Sequence, residues 1–292
     1  LEEAAKVNRL TGIAPSVAIH IPWDKVDDYN EILNKADHLG LRIGAINPNL
    51  FEDQDYKYGS LTNTNPDIRR KAVEHILECI EIGKIFNSKI LSLWLSDGTN
   101  YPGQGDFRDR KEWIEESLSE VYENLPDYMR LLIEYKFFEP AFYHTDIFSF
   151  GIALDLAKKL GSKAQVLVDL GHHPRGTNIP HIVAYLLSEC KLGGFHLNDA
   201  KYADDDLTTG SIDPYQLFLI FVELNDPRSD TGELAYMIDQ SHNEKNPTEA
   251  MIQTLENLQH IYAKSILVDR EKLKASQMAN DTIESEETLM KA

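Results

Sequence analysis

Residues Phe148–His173 read FSFGIALDLAKKLGSKAQVLVDLGHH, and the pattern they form decides the fold. Phe148–Leu160 is apolar at helical spacing and stops at Leu160-Gly161, a helix-ending pair. Gln165–Asp169 follows as a short apolar run suited to a buried strand. The run ends on an acid, Asp169, and a glycine and two histidines come at once. A carboxylate in so apolar a setting is costly unless a cation or hydrogen-bond donors compensate it. The D-x-x-H spacing lets the Asp169 carboxylate and the His172 imidazole reach one small region. A divalent metal is the first expectation there.

Outward from this unit the same alternation covers the chain. Strand-like runs lie at Ser16–Ile21, Arg42–Pro48, Lys89–Leu95, Arg130–Phe137, Gln165–Asp169, Gly193–Asp199 and Glu233–Asp239. Helical patterns lie at Asp27–His38, Asn65–Phe86, Asp109–Met129, Phe148–Leu160, Ile179–Cys190, Pro214–Leu224 and Pro247–Ala263. Alternation at this spacing means βαβ units and a parallel sheet. No glycine-rich phosphate motif follows any run, which disfavours a nucleotide-binding sheet. A (β/α)8 TIM barrel is the expected fold. Such a barrel needs eight strands and seven are present. A further helical stretch, Leu1–Leu10, precedes the first run, so the missing strand is expected upstream of Leu1. Residues 1–267 would form the barrel. Residues 268–292 would form a charged C-terminal helical extension, itself cut short.

The composition narrows the partners. The 292 residues are 42% hydrophobic, enough for a sizeable core, and carry 48 acidic against 29 basic side chains, a formal charge of −19. So acidic a surface repels phosphate backbones and anionic headgroups, which excludes nucleic acid and membrane as partners. Cys79 and Cys190 each sit in a helix-like apolar pattern outside any C-x-x-C unit, and buried free thiols in a cytoplasmic protein are expected.

In a barrel the active site lies at the carboxyl ends of the strands. There the runs deliver His20, Asn47, Trp94, Glu134 with Lys136, Asp169, His196 with Asn198, and Asp239 with Ser241. Residues i and i+2 of a strand share a face, so Glu134 and Lys136 point one way and Tyr135 the other. In the loop after the His196 run, Asp204 and Asp206 flank one residue and can turn towards the same ion. Singly, each feature has a plainer meaning: the DDD loop as solvated surface, His196 as a core residue, Glu134 and Lys136 as a salt bridge, Trp94 as packing. Their convergence at one end of consecutive strands is what marks a site. Glu134, Asp169, Asp204, Asp206 and Asp239 bring five negative charges, which two divalent ions and Lys136 would balance. Oxygen-rich ligands with an imidazole suit Mn²⁺, Mg²⁺ or Co²⁺ better than a thiolate-type zinc site. His38, His75, His173, His181, His242 and His260 are expected to be structural or exposed, and His144 to lie in a loop.

With these residues assembled, the chain resembles the L-rhamnose isomerase family, its bacterial broad-specificity branch, and more distantly D-xylose isomerase. The resemblance rests on HIPWD at His20–Asp24, YKYGSL at Tyr56–Leu61, AVEHILECIEIGK at Ala72–Lys84, EPAFY at Glu139–Tyr143, VDLGHH at Val168–His173, GGFHLNDAKYADDDL at Gly193–Leu207 and MIDQSHN at Met237–Asn243. It implies a metal-dependent aldose–ketose isomerase with two ions, Mn²⁺ ahead of Mg²⁺, Co²⁺ or Zn²⁺. One ion would be held by Glu134, Asp169, His196 and Asp239. The second would be held by Asp169 as the bridge, with His172, Asp204 and Asp206. His20 would help open the sugar ring, Lys136 would sit near O1, Asp206 would serve the catalytic ion, and Trp94, Asn47 and Ser241 would line the sugar pocket. A homotetramer is also implied. Phe51, Phe107 and the Asn47–Leu61 loop are candidates for the apolar walls. A sugar 3-epimerase of the same superfamily, using one metal and two carboxylates, and an inactive metal-binding fragment are the alternatives.

Overall fold

The computed structural model describes residues 1–101, 103–139, 143–241 and 244–292, with Tyr143 placed by its backbone alone. The middle of EPAFY and the end of MIDQSHN, with His242, lie outside the described residues. The first half runs α1 (Glu2–Thr11), β1 (Ser16–Ile21), α2 (Tyr29–His38), β2 (Arg42–Pro48), α3 (Pro66–Phe86), β3 (Ile90–Leu93), β4 (Gly98–Thr99) and α4 (Phe107–Asn124). There follow β5 (Arg130–Glu134), β6 (Phe138–Glu139), β7 (Tyr143–Thr145), α5 (Phe150–Leu160), β8 (Ala164–Asp169), α6 (Ile179–Ser188) and β9 (Leu192–Leu197). The chain continues through α7 (Pro214–Leu224), β10 (Ala235–Ile238), α8 (Pro247–Ser265), α9 (Arg270–Met278) and α10 (Thr282–Met290).

Seven strands form one parallel sheet in the order β1-β2-β3-β5-β8-β9-β10, curled into a nearly closed barrel with helices outside. The helices start where the sequence places a capping side chain before a proline: Asn65 before Pro66, Asp213 before Pro214 and Asn246 before Pro247. Each cap accepts a backbone N–H of the first turn, and a proline there sacrifices no hydrogen bond. β1 and β10 are the edges of the sheet and are not paired with one another among the described residues. Inner strands β3 and β9 are buried throughout, whereas β1 and β10 stay partly exposed because nothing pairs with their outer edges. α1 packs against α8 across this seam.

The barrel interior explains why the site lies where it does. Ala45, Ile90, Leu132 and Leu167, with Ala235 and Met237, form a small apolar cluster separate from the main core between sheet and helices. Two residues further along each strand the same face carries Asn47, Ser92, Glu134, Asp169 and Asp239. His196, beside Asp169 in the register, completes that layer. Period-2 alternation thus stacks a polar layer directly on an apolar floor. Gly193 leaves the floor room, since a Cβ there would lie 2.4 Å from Leu132 Cδ2.

The expected Arg130–Phe137 run does not continue as a barrel strand. It leaves the barrel after Glu134, and Lys136 N–H donates to the Ile147 carbonyl at 3.0 Å instead of to a barrel neighbour. The chain then enters an antiparallel ribbon, β4-β7-β6, which strand-length patterning does not reveal because its members are two or three residues long. His144, expected in a loop, lies in β7 with its ring edge-on to Phe137. Cys79 is buried as expected, but Cys190 is exposed because the chain turns left-handed there (φ 54°) on leaving α6. Among the described residues no helix is long and apolar enough to cross a membrane.

Candidate active site and metal centre

The polar layer opens into a cavity of about 280 Å³ lined by His20, Asn47, Ser92, Trp94, Glu134, Lys136, His172, His196, Asp204, Asp206 and Asp239, with Trp23, Pro48 and Phe51. Of the residues expected to form the site, Ser241 and Phe107 are neither on this wall nor in the cluster beneath it. Ser241 is exposed, and its backbone N–H donates to the Asp206 carbonyl at 2.9 Å. Phe107 is 69% exposed at the start of α4 and takes no part. Phe51 does contribute: its ring lies 5.0 Å from Trp94 and 5.9 Å from Trp23. The Asn49 side chain accepts from the Phe51 and Glu52 N–H groups and so fixes the turn that presents it.

Asp169, fully buried, is the centre. One group of potential ligand atoms joins it to Glu134 and His172, a second to His196 and Asp239, and both groups are compact enough to hold an ion. Glu134 Oε1 lies 3.2 Å from Nδ1 of both His172 and His196. Asp204 reaches His172 Nε2 at 3.3 Å through one oxygen and Lys136 Nζ at 2.6 Å through the other. His196 Nδ1 is 3.5 Å from Asp239 and 3.7 Å from Asp169. Asp206, at a left-handed φ of 45°, turns its carboxylate to Asn198 Nδ2 at 3.3 Å. The DDD loop is therefore not a solvated surface. Asp204 and Asp206 face the cavity, while Asp205 turns back to accept the Lys201 and Tyr202 N–H groups at 2.6 Å each and braces the loop.

The charges show what the cluster demands. Burial raises Asp169 to about 6, with the His172 imidazole opposing. Burial, then Asp204, Asp239 and Asp169, push Asp206 up to about 8. Burial would lower His196, but Glu134, Asp239 and Asp169 carry it up to about 9. His172 is likewise held well above the usual imidazole range by Asp169, Asp204 and Glu134, against burial. Glu134 stays below the usual carboxylate range because the two imidazoles outweigh its burial. Crowded carboxylates with only imidazoles and one lysine among them gather protons as their counter-charge. Oxygen and imidazole donors converging from several strands, rich in negative charge, fit a divalent cation.

One carboxylate escaped the sequence reading. Glu139 Oε2 lies 2.6 Å from Lys136 Nζ, so a sixth carboxylate joins the five counted before and a balance with two ions leaves one negative charge over. Only the ribbon brings Glu139 back, and no spacing rule announces that. Asn198, expected on the site face with His196, donates to both Asp169 oxygens. Lys136 itself is 4% exposed and lies 5.0 Å from the Trp94 ring. Behind the site, Tyr135 points away from the cavity and bonds His173 at 2.7 Å, which makes His173 a support.

A parallel barrel with acids and imidazoles converging at the carboxyl ends of its strands is a barrel whose site could hold a metal ion. Residues 4–229 match the model of the xylose isomerase-like TIM barrel family, and the chain belongs to that family. It is 47% identical over its whole length to a probable sugar isomerase of Rhizobium meliloti, spanning 70% of that protein. A probable sugar isomerase of Mesorhizobium japonicum is 45% identical with the same coverage. Among solved structures, L-ribulose 3-epimerase superposes with a TM-score of 0.68 over 90% of both chains at 17% identity, a likeness of fold.

Proposed function

We propose that the chain is a sugar isomerase that interconverts an aldose and its ketose, L-rhamnose and L-rhamnulose being the favoured pair, at a site holding two divalent ions, Mn²⁺ by preference. The observation that carries the reading is Asp169, shared by two groups of potential ligands, one with Glu134 and His172 and one with His196 and Asp239, together with the probable sugar isomerases at 45–47% identity. Glu134, 3.2 Å from both imidazoles, can serve with either. Glu134, Asp169, His196 and Asp239 would hold one ion, and Asp169, His172, Asp204 and Asp206 the other. Divalent ions held there would supply Lewis acidity to the reacting sugar.

The protein's own groups do the rest. Asn47 Nδ2 donates to His20 Nε2 at 2.9 Å, which places the imidazole hydrogen on Nδ1. That nitrogen is buried without a protein partner among the described residues. Burial holds His20 below its ordinary pKa, so it is neutral at pH 7 and its Nδ1–H would donate a hydrogen bond to the sugar's ring oxygen, orienting that oxygen as the ring opens. Lys136 stays protonated despite burial because Asp204 and Glu139 flank it, and it faces the oxygen that gains negative charge. Trp23, Phe51 and Trp94 offer apolar faces to the carbon skeleton and to a terminal methyl group. The hydrogen would move from C2 to C1 with its electron pair, while Asp206 serves the proton that passes between the two oxygens. Every carboxylate on the cavity wall belongs to the proposed ligand set, which leaves none to act as a base on carbon.

We extend the reading to 1–267 as the catalytic domain, 268–292 as an extension, a cytoplasmic location and a homotetrameric assembly. The test is conversion of L-rhamnose, L-mannose, L-lyxose and D-allose with Mn²⁺, followed in deuterated water. Conversion of L-rhamnose without solvent deuterium at C1 or C2 supports the reading, and deuterium at either carbon refutes the hydride shift. A 3-epimerase, the second reading, draws on the fold likeness to L-ribulose 3-epimerase; it would bind one ion and exchange hydrogen at C3 of a ketose.

A further inference from the structure

We infer that Asn198 is the positioning residue that makes the second ion site possible, by tying the bridging carboxylate to the DDD loop. The inference rests on the two-ion reading above. Asn198 is fully buried just beyond the end of β9. Its Nδ2 lies 3.0 and 3.1 Å from the two oxygens of Asp169 and 3.3 Å from Asp206 Oδ1. One amide group therefore spans two carboxylates from different segments that repel each other. It is a neutral donor, so it holds both without adding charge and without competing for an ion through an anionic oxygen. The Gly171 N–H adds 2.7 Å to Asp169 Oδ1, and with Asn198 it saturates that oxygen. Among the described residues Asp169 Oδ2 accepts from Asn198 alone, at 3.1 Å, and faces His172 and His196, at 3.8 and 3.7 Å.

The arrangement is built with little room to spare. A Cβ on Gly171 would lie 3.0 Å from Asn198 Oδ1 and 3.3 Å from Asp169 Oδ1. The glycine of VDLGHH is thus the space in which the amide sits. The two groups of ligands differ in their dependence on it. Glu134, His196 and Asp239 are placed by their own strands, and Asp204 is anchored by Lys136 and His172. Asp206, on a left-handed backbone in a loop, takes its only side-chain hydrogen bond among the described residues from Asn198.

The test is Mn²⁺ binding to the whole chain by calorimetry, with metal content measured after dialysis, on wild type, Asn198→Ala and Gly171→Ala. Wild type is expected to take two ions. Asn198→Ala should keep the first with affinity within about threefold and weaken the second at least tenfold, with kcat falling more than KM. Gly171→Ala, which pushes the amide aside without removing it, should do the same, and it decides the matter if Asn198→Ala does not fold. Two ions bound with unchanged affinities by either folded variant would overturn the inference while leaving the proposed function intact. One ion or none on the wild type would overturn the two-ion reading and the inference with it.

Discussion

Binding of Mn²⁺ should expel protons, and the number follows from the charges around Asp169. At pH 7 His196, carried up to about 9 by Glu134, Asp239 and Asp169 against its burial, is an imidazolium. So is His172, held well above the usual imidazole range by Asp169, Asp204 and Glu134 against burial. Asp206, pushed to about 8 by burial and by Asp204, Asp239 and Asp169, holds its proton too. None of the three can ligate an ion until the proton leaves. Releasing one from His196 at pH 7, two units below its pKa, costs about 3 kcal/mol. Filling both sites should therefore release close to three protons. Apparent affinity should climb roughly two to three decades per pH unit between pH 6 and 7 and flatten as these groups lose their protons. Calorimetry in buffers of different ionisation enthalpy counts the protons directly. Without metal the stability moves the opposite way. From 6.5 to about 9 the folded chain keeps a proton on His196 that the unfolded chain gives up, so this contribution is present below 6.5 and lost as pH rises towards 9. The metal-free melting temperature should fall over that window and the Mn²⁺-loaded one should not. Buffer-independent heats with flat affinity from pH 6 to 8 would refute the reasoning.

Asp169→Asn should weaken both ions and His172→Ala mainly one; equal, two-ion binding by Asp169→Asn would sink the bridging role. Lys136→Met should lower kcat about 100-fold with a smaller change in KM, and a purely raised KM would assign the lysine to binding instead. Arg110 is 2% exposed and grips Asp146 through two hydrogen bonds of 2.9 and 2.6 Å, so Arg110→Ala should cost about 3–5 kcal/mol in urea unfolding. Gly193→Ala should cost about 1–3 kcal/mol by crowding Leu132 in the barrel floor; a neutral result would show that the floor can relax.

How much of this was legible depends on what each residue's position obeys. Strands and helices follow local periodicity and caps, so Pro214–Leu224 matches its helix at both ends and Ser16–Ile21 and Arg42–Pro48 match their strands. The site ligands were legible for a related reason: period-2 alternation delivers Asn47, Glu134, Asp169 and Asp239 to one layer, whatever the rest of the chain does. The ribbon was not legible, because its strands are stabilised by a network that no local pattern encodes. Asp97 accepts hydrogen bonds of 2.7–2.8 Å from the backbone and hydroxyl groups of Ser60 and Thr62. Arg110 then joins Thr62 to Asp146, and the Asp146 N–H returns to the Asp97 carbonyl at 2.8 Å.

That network bears on the chemistry through the residues beside Asp146. Thr145 Oγ1 donates to the Lys136 carbonyl, and the Ile147 carbonyl accepts the Lys136 N–H. The backbone of Lys136 is thus clamped from both sides by the ribbon, while its side chain is clamped by Asp204 and Glu139. A lysine has four rotatable bonds and loses considerable rotamer entropy when fixed, so a lone ammonium in a 280 Å³ cavity would wander. The irregular excursion after β5 is what removes that freedom. A regular barrel strand through Lys136 would keep it on the same face as Glu134, but would not bring Glu139 back to it. The departure from the expected strand is therefore where this barrel exchanges regularity for a charge held in one place.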